Sequence, residues 1–172
     1  MSPQVNGRLH SDSNSRNWRK QKGFYRKPPT ASNSRISSEM TQKLIPDTSI
    51  IIDGNVPAVI EKDGYTDAEI VIPYAVLDEL QAQASKGREP GFVGLSEVKK
   101  LRDFCEKRGI KLTFLGERPG LNDIRLARSG RLDALITDVA KAENGILLTA
   151  DYVQALVAEA GGVQVKYVVG EV

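Results

Sequence analysis

The sequence predicts an α/β fold of three layers, in which a parallel sheet of about five strands lies between helices on both faces. Short apolar segments alternate with helical segments from residue 43 onward, an order that is typical of parallel sheets covered by helices. The length of 172 residues fits one domain, and a hydrophobic content of 40% suits a modest core.

The strands are predicted from short apolar segments that end at polar or turn residues. EIVI has the composition of a strand buried on both faces, whereas IKLTFL alternates as a half-buried strand does. Together with the segments LIP, ILLT and the last apolar run, they give strands at 43–46, 69–72, 110–115, 146–149 and 163–169.

The helices are predicted from apolar periodicity and from residues that start or stop helices. Pro73 suits the first turn of a helix that continues to about Ser85, and Gly109 ends an amphipathic helix that begins at Leu95. The segment KGREPGFVG between them, residues 86–94, is predicted as a loop because it is rich in Gly and Pro. Further helices are predicted at 121–128, 131–143 and 152–160.

Charge and composition divide the chain into a basic tail, residues 1–41, and an acidic domain, residues 42–172. Residues 1–43 hold nine Lys or Arg and two Asp or Glu, whereas the remainder holds fifteen and twenty. The tail is rich in Ser, Asn and basic residues without periodicity, so we expect it to be disordered. Its aromatic residues lie among basic ones, a pattern that also suits RNA binding. Met40, directly before the domain, is an alternative start of translation.

Composition excludes several classes of protein. No apolar segment approaches the roughly 20 residues of a membrane span, and the first residues lack the apolar core of a signal peptide. The single cysteine, Cys105, suits a reducing compartment, so we expect a cytoplasmic protein without membrane contact. The single histidine, His10, lies in the tail, which argues against His-based catalysis in the domain. Any chemistry there is expected to depend on carboxylates.

Four acidic residues are expected to meet at the carboxyl edge of the sheet, where parallel sheets bind ligands. Asp47 and Asp151 directly follow predicted strands, Asp133 lies in the first turn of a helix, and Glu79 follows the second strand by about two turns. A single Asp after a strand is most often a helix N-cap, so the convergence carries the argument. Ligand sets made only of oxygen suit Mg²⁺ or Mn²⁺, the ions of phosphoryl-group chemistry.

Two neighbouring acids compete for these positions. Asp138 lies about 140° around the helix from Asp133 and about 7.5 Å further along it, which favours a solvated position for Asp138. The apolar stripe of the second helix does not separate Asp78 from Glu79, so this choice stays open on periodicity alone.

The same stretches resemble the motifs of PIN-domain ribonucleases. LIPDTSIIIDG resembles the first motif, VIPYAVLDEL the second, and RLDALITDVAKAENGILLTADYV the combined third and fourth. The resemblance covers roughly residues 43–169 and is greatest to an archaeal branch in which a PIN domain precedes an ATPase and a KH domain. Because the sequence ends soon after its last predicted strand, we expect only the PIN part here.

The resemblance implies a metal-dependent endoribonuclease with a PIN-like fold. Asp47, Glu79, Asp133 and Asp151 would hold one or two Mg²⁺ or Mn²⁺ ions, and water would cleave the phosphodiester to leave 3′-hydroxyl and 5′-phosphate ends. Ser49 and Thr149 would support the acids, and Thr48 is interpreted as either supporting or structural. The basic residues that flank the predicted loops are weaker candidates for contacts with RNA phosphates: Lys86, Arg88, Arg118, Arg125, Arg128 and Arg131.

Two other functional hypotheses remain. The first is a non-catalytic RNA-binding or regulatory module with an inactive PIN fold. The second is another α/β protein with an acidic site, such as a haloacid-dehalogenase-like phosphatase, which would require an Asp where Ser49 stands. RNA is the expected partner, and the sequence leaves open a homodimer and an inhibitory partner like those of PIN-domain toxins.

Overall fold

The computed structural model describes residues 41–65, 67–125 and 130–169 of the chain. The predicted tail lies outside the described residues except for Thr41. In chain order the elements are β1 (Gln42–Pro46), α1 (Thr48–Asp53), α2 (Val56–Lys62), β2 (Ala68–Pro73), α3 (Tyr74–Ser85), α4 (Glu89–Arg108), β3 (Lys111–Leu115), α5 (Leu121–Arg125), α6 (Arg131–Ala142), β4 (Ile146–Thr149), α7 (Tyr152–Ala160) and β5 (Gln164–Tyr167).

The five strands form one parallel sheet in the order β3-β2-β1-β4-β5. Strand β1 is therefore central, and its Leu44 lies opposite Ile70 of β2 and Ile146 of β4. All strands point the same way, so the residues that follow β1, β2 and β4 emerge at one edge. The predicted parallel α/β sheet is confirmed.

The core lies on both faces of the sheet. Successive residues of a strand point to opposite faces, and the neighbours Leu44 and Ile45 are both fully buried, as are Leu147 and Leu148 in β4. Both faces are therefore covered by helices, which confirms the three layers and explains why the central strands are continuously apolar.

The segment 86–94 is not a loop throughout, and the prediction for it was wrong from Glu89 onward. Helix α4 begins at Glu89, with Pro90 in its first turn, where the missing N–H costs nothing. Gly91 and Gly94 are buried against α3: a Cβ on Gly91 would lie 2.2 Å from the backbone nitrogen of Ala84. These glycines therefore permit close packing of two helices.

The other boundaries differ little from the prediction. Residues 54–64, for which only a turn at Gly54 is predicted, contain helix α2, and Gly54 ends α1 in the left-handed conformation. The predicted helix 121–128 is described only as far as Arg125, and β5 ends at Tyr167, two residues earlier than expected. Helix ends commonly shift by one or two residues without any change in packing.

No helix in the described part of the chain is both long and apolar enough to cross a membrane. Helix α4, with 20 residues, has the length of a membrane span, but it carries nine charged side chains. Its buried residues form one stripe, including Val98, Leu101 and Cys105, which contributes to the core.

Candidate active site

Asp47 is the most buried of the four candidate acids. It follows β1 directly, is 1% exposed and caps the N-terminus of α1 by accepting a hydrogen bond from the backbone N–H of Ile50 at 3.0 Å. Its carboxylate also accepts hydrogen bonds from the hydroxyls of Ser49 at 2.7 Å and Thr149 at 2.5 Å. Burial raises the pKa of Asp47, and these three donors partly oppose that shift. The carboxylate is therefore desolvated and held in one orientation.

Thr149 and Ser49 connect Asp47 to the end of β4. The Thr149 hydroxyl donates to Asp47 and accepts from the backbone N–H of Asp151 at 2.9 Å. The Ser49 hydroxyl likewise donates to Asp47 and accepts from the backbone N–H of Ala150 at 2.9 Å. Both hydroxyls fix the separation of two neighbouring strand ends. The structure thus brings together the two residues predicted to support the acids.

Asp151 is exposed and caps helix α7. One oxygen of its carboxylate, Oδ1, accepts from the backbone N–H groups of Val153 at 2.9 Å and Gln154 at 3.2 Å. The charge of Asp151 contributes to the raised pKa of Asp47, so these two acids lie within electrostatic range of each other. The second oxygen, Oδ2, accepts no hydrogen bond within the described residues, which leaves it available to a ligand.

Glu79 lies on α3 and is fixed by α1. Its carboxylate accepts from the hydroxyl of Thr48 at 2.6 Å and from the side-chain amide of Gln83 at 3.4 Å. Burial raises its pKa, the bond from Thr48 opposes the rise, and the charge of Asp47 adds to it. Thr48, which the sequence left between two roles, therefore orients an acid of another element. No local pattern could have shown this contact, because the two residues are 31 positions apart.

Asp78 is excluded from the cluster by its own partner. It accepts two hydrogen bonds from the guanidinium of Arg118, at 2.6 and 3.0 Å, and that guanidinium also lies over the ring of Tyr74. Asp78 is thus engaged in an ion pair, whereas Glu79 lies within electrostatic range of Asp47 and Asp133.

Asp133 completes the cluster from helix α6. Although the residue is exposed, its pKa is raised to about 6, first by partial desolvation of the carboxyl group and then by the charges of Glu79, Asp151 and Asp47. All three other acids thus act on this one carboxylate. Asp138, five residues further along α6, is exposed and has no hydrogen bond to these acids within the described residues.

The chemistry of these side chains fits a hard divalent cation. The atoms that could coordinate a metal are carboxylate and hydroxyl oxygens, the ligands that such a cation prefers. Within the described residues no Lys or Arg forms an ion pair with any of the four acids. The geometry is not that of a closed cage, since no three His, Cys, Asp or Glu side chains in the described part of the chain already form a group of metal ligands. Side-chain rotation, for which the exposed Asp133 and Asp151 have room, would be needed to enclose an ion.

The predicted RNA-contacting residues have different surroundings. Lys86 and Arg88 are exposed in the turn between α3 and α4. Arg118 is engaged with Asp78, and the Arg131 guanidinium lies 3.6 Å from the carboxylate of Asp123. The side chain of Arg125 and the whole of Arg128 lie outside the described residues.

The parallel three-layer fold and the comparison with known families lead to the same assignment. The model of the PIN-domain family matches residues 44–160. The chain therefore belongs to the PIN-domain family, whose members are generally nucleases and typically use divalent metals.

The similar proteins combine a PIN domain with a second kind of domain, KH in one relative and TRAM in another. An uncharacterized KH and PIN-domain containing protein of Methanocaldococcus jannaschii is 43% identical over 73% of this chain and 20% of its own length. A PIN and TRAM-domain containing protein of Synechocystis is 32% identical over 80% of this chain and 37% of its own. The chain thus spans well under half the length of these relatives.

A solved structure supports the same assignment. A domain of a protein from Methanocaldococcus jannaschii, described as functionally unknown, superimposes with a TM-score of 0.72 at 41% identity. The match covers 77% of this chain and 94% of that domain. Fold and sequence therefore agree that this is a PIN domain of the KH–PIN type.

Proposed function

We propose that the protein is a metal-dependent endoribonuclease that hydrolyses RNA phosphodiesters at the carboxyl edge of the sheet. The observation that carries the proposal is the convergence of Asp47, Glu79, Asp133 and Asp151 at the carboxyl edge of the sheet with no ion-paired Lys or Arg among the described residues. Consistent with this convergence, desolvation and then the charges of the other three acids raise the pKa of Asp133 to about 6. Gathering four like charges without a basic partner is unfavourable unless a cation binds among them. The family's general nuclease activity supports the same conclusion.

In this proposal Asp47, Glu79, Asp133 and Asp151 hold one or two Mg²⁺ or Mn²⁺ ions. Such an ion supplies positive charge for the phosphate and lowers the pKa of the attacking water. Asp47 is the fixed ligand, because Ser49, Thr149 and the start of α1 hold it. Asp133 and Asp151 are the adaptable ligands at the exposed side of the cluster.

The substrate and partners follow from the same proposal. An acidic site needs basic residues at its rim to retain a polyanion. Lys86, Arg88 and Arg131 are the candidates with described side chains, and Arg125 and Arg128 are further candidates. A cytoplasmic location, a homodimer and an inhibitory protein partner stay predictions.

Cleavage of a fluorescently labelled RNA in Mn²⁺ tests the proposal with Asp47→Asn and, as a matched control, Asp138→Asn. We expect Asp47→Asn to lose cleavage by at least about 100-fold while keeping the fold, since Asn still caps α1. Asp138→Asn should retain wild-type activity. Cleavage by Asp47→Asn at the wild-type rate would refute the proposal, and RNA binding without cleavage in the wild type would support a regulatory module.

A further inference from the structure

Two exposed tyrosines lie next to the acid cluster. Tyr152 directly follows Asp151, and Tyr167 lies opposite Thr149 in the register of β4 and β5. Tyr152 is 59% exposed and Tyr167 is 41% exposed. Tyr152 is thus one residue from an acid of the cluster. Tyr167 is one strand from Thr149, whose hydroxyl donates to Asp47.

The two rings contact each other edge to face. Their centroids are 5.6 Å apart and their planes are inclined by 60°. In such a pair only one ring has a face covered by its partner, so aromatic surface stays open to solvent. An exposed aromatic ring of this kind offers a flat surface on which a nucleic-acid base can stack.

We propose that Tyr152 and Tyr167 form a platform on which an unpaired base of the RNA stacks beside the scissile phosphate. This inference rests on the proposed nuclease function and specifies its substrate. A base within a duplex is already stacked on its neighbours, whereas a base in a loop or single strand is free to stack on an aromatic side chain. The platform therefore selects unpaired RNA.

The space beside the platform suits the continuation of a strand. Tyr167 lines a cleft of about 720 Å³, the size of a small-ligand site, between the end of α1, helix α2 and β5. Two lysines, Lys62 and Lys166, line this cleft together with Asp53 and Asp63, and Lys166 is paired with Asp63, which leaves Lys62 as the cleft lysine without an ion pair among the described residues. A nucleotide adjoining the stacked base would enter this cleft.

The main rival occupant is a protein. The apolar surface continues from Tyr152 along α7 through Val153, Leu156 and Val157, which are all exposed. RNA is favoured for the tyrosines themselves, because they lie at the acid end of this surface. The three aliphatic residues provide no flat ring for a base.

The test measures RNA affinity by fluorescence anisotropy in EDTA, so that cleavage plays no part. The probes are an unpaired RNA, the same RNA with abasic positions, and its duplex. The variants are Tyr152→Ala, Tyr167→Ala, Tyr152→Phe and, as an exposed apolar control on the same helix, Leu156→Ala.

We expect either alanine variant to bind the unpaired RNA roughly ten-fold more weakly, the usual size of one lost base–aromatic stack. Tyr152→Phe and Leu156→Ala should bind as the wild type does. The wild type should prefer the unpaired RNA over the abasic RNA and the duplex, and this preference should shrink in the alanine variants.

Equal affinity of wild type and alanine variants for unpaired RNA would overturn the platform. The same holds if Tyr152→Ala alters only the oligomeric state in analytical ultracentrifugation, since that result assigns the surface to a protein contact. Neither outcome bears on cleavage by Asp47→Asn, so failure of the platform and failure of the nuclease proposal are distinguishable.

Discussion

The paired acids at the amino end of the sheet and the four-acid cluster at its carboxyl end differ in how their negative charge is compensated. At the amino end three acids are paired with bases: Glu143 with Lys43, Glu69 with Lys111, and Glu61 with Arg108. At the carboxyl end Asp47, Glu79, Asp133 and Asp151 accept hydrogen bonds from hydroxyl, amide and backbone donors or, in the case of the Asp133 carboxylate, from no described residue.

The difference separates negative charge that a base neutralises from negative charge that is left available to a ligand. A carboxylate paired with a base at the surface contributes little to the free energy of unfolding. Its negative charge is neutralised by the base, so it does not repel other acids. A cluster of carboxylates without basic partners destabilises the metal-free fold through repulsion, and a cation that binds among them would relieve this repulsion. Burial raises the pKa of Asp47, Glu79 and Asp133, and the charges of neighbouring acids in the cluster add to each rise.

The largest expected effect is on RNA cleavage, when one acid from each end of the sheet is replaced by its amide. Asp151→Asn should reduce RNA cleavage in Mn²⁺ by at least about 100-fold, because a charge that faces the cation is lost. Glu143→Gln should keep activity within about two-fold, because its carboxylate serves only Lys43. Initial rates on a labelled RNA measure both. Equal losses would mean that the two ends do not differ in function.

A smaller effect is expected from the hydroxyl that joins the acids. Thr149→Val keeps the shape of the side chain but removes the bond to Asp47, and we expect cleavage to fall about 10- to 100-fold. Thr113→Val, whose hydroxyl lies 3.5 Å from Glu69, is the matched control and should be neutral. A neutral Thr149→Val would show that Asp47 needs no such support.

The two ends should also differ in their response to pH. An acid whose pKa is raised binds protons more tightly in the folded state, so Asp133 destabilises the metal-free fold progressively as pH rises from about 4 to about 6. Its contribution should therefore make the metal-free protein melt at a higher temperature at pH 5 than at pH 7, and Asp133→Asn should reduce this difference. Mn²⁺ should reverse the order, since protons compete with the ion for the same oxygens.

Over the same range the amino-end pair should contribute nothing to the pH dependence. Hydrogen bonding to Glu143 raises the pKa of Lys43, so the stability that this lysine provides is lost only as pH rises beyond its usual value of 10.5. Thermal melts of Glu143→Gln should thus run parallel to those of the wild type between pH 5 and pH 7. A changed slope would contradict the assignment of the pH effect to the acid cluster.

The smallest expected effect is on stability at the amino end. Glu143→Gln removes a partly exposed ion pair with an N–O distance of 2.6 Å and should cost roughly 0.5 kcal/mol of the free energy of unfolding. Urea denaturation measures this value. A loss of several kcal/mol would show that this pair is structural rather than merely neutralising.

The fold was largely predictable because its signals are local. The sequence indicated all five strands, since a buried parallel strand is a short continuous apolar segment. The start of α4 was missed because Gly91 and Gly94 resemble loop residues until the close approach of α3 is known. Such packing is a long-range property that no local pattern contains.

The candidate site was predictable in its acids but not in their partners. Asp47 and Asp151 follow strands, so parallel topology alone brings them to one edge. The bonds from Thr48 to Glu79 and from Arg118 to Asp78 join separate elements, and they decide which acid of α3 enters the cluster. Periodicity favoured Asp133 over Asp138, but both residues are exposed, and only the fold shows the electrostatic contacts of Asp133 with the other acids.

The capping roles of Asp47 and Asp151 change how related sequences should be compared. Both residues begin helices, so selection for folding alone would keep Asp or Asn at these positions in a relative that had lost cleavage. The carboxylate of Asp133 caps no helix and accepts no hydrogen bond within the described residues, so nothing observed in the fold requires it. If the proposed nuclease function holds, position 133 is therefore the most informative marker of retained cleavage among homologous chains.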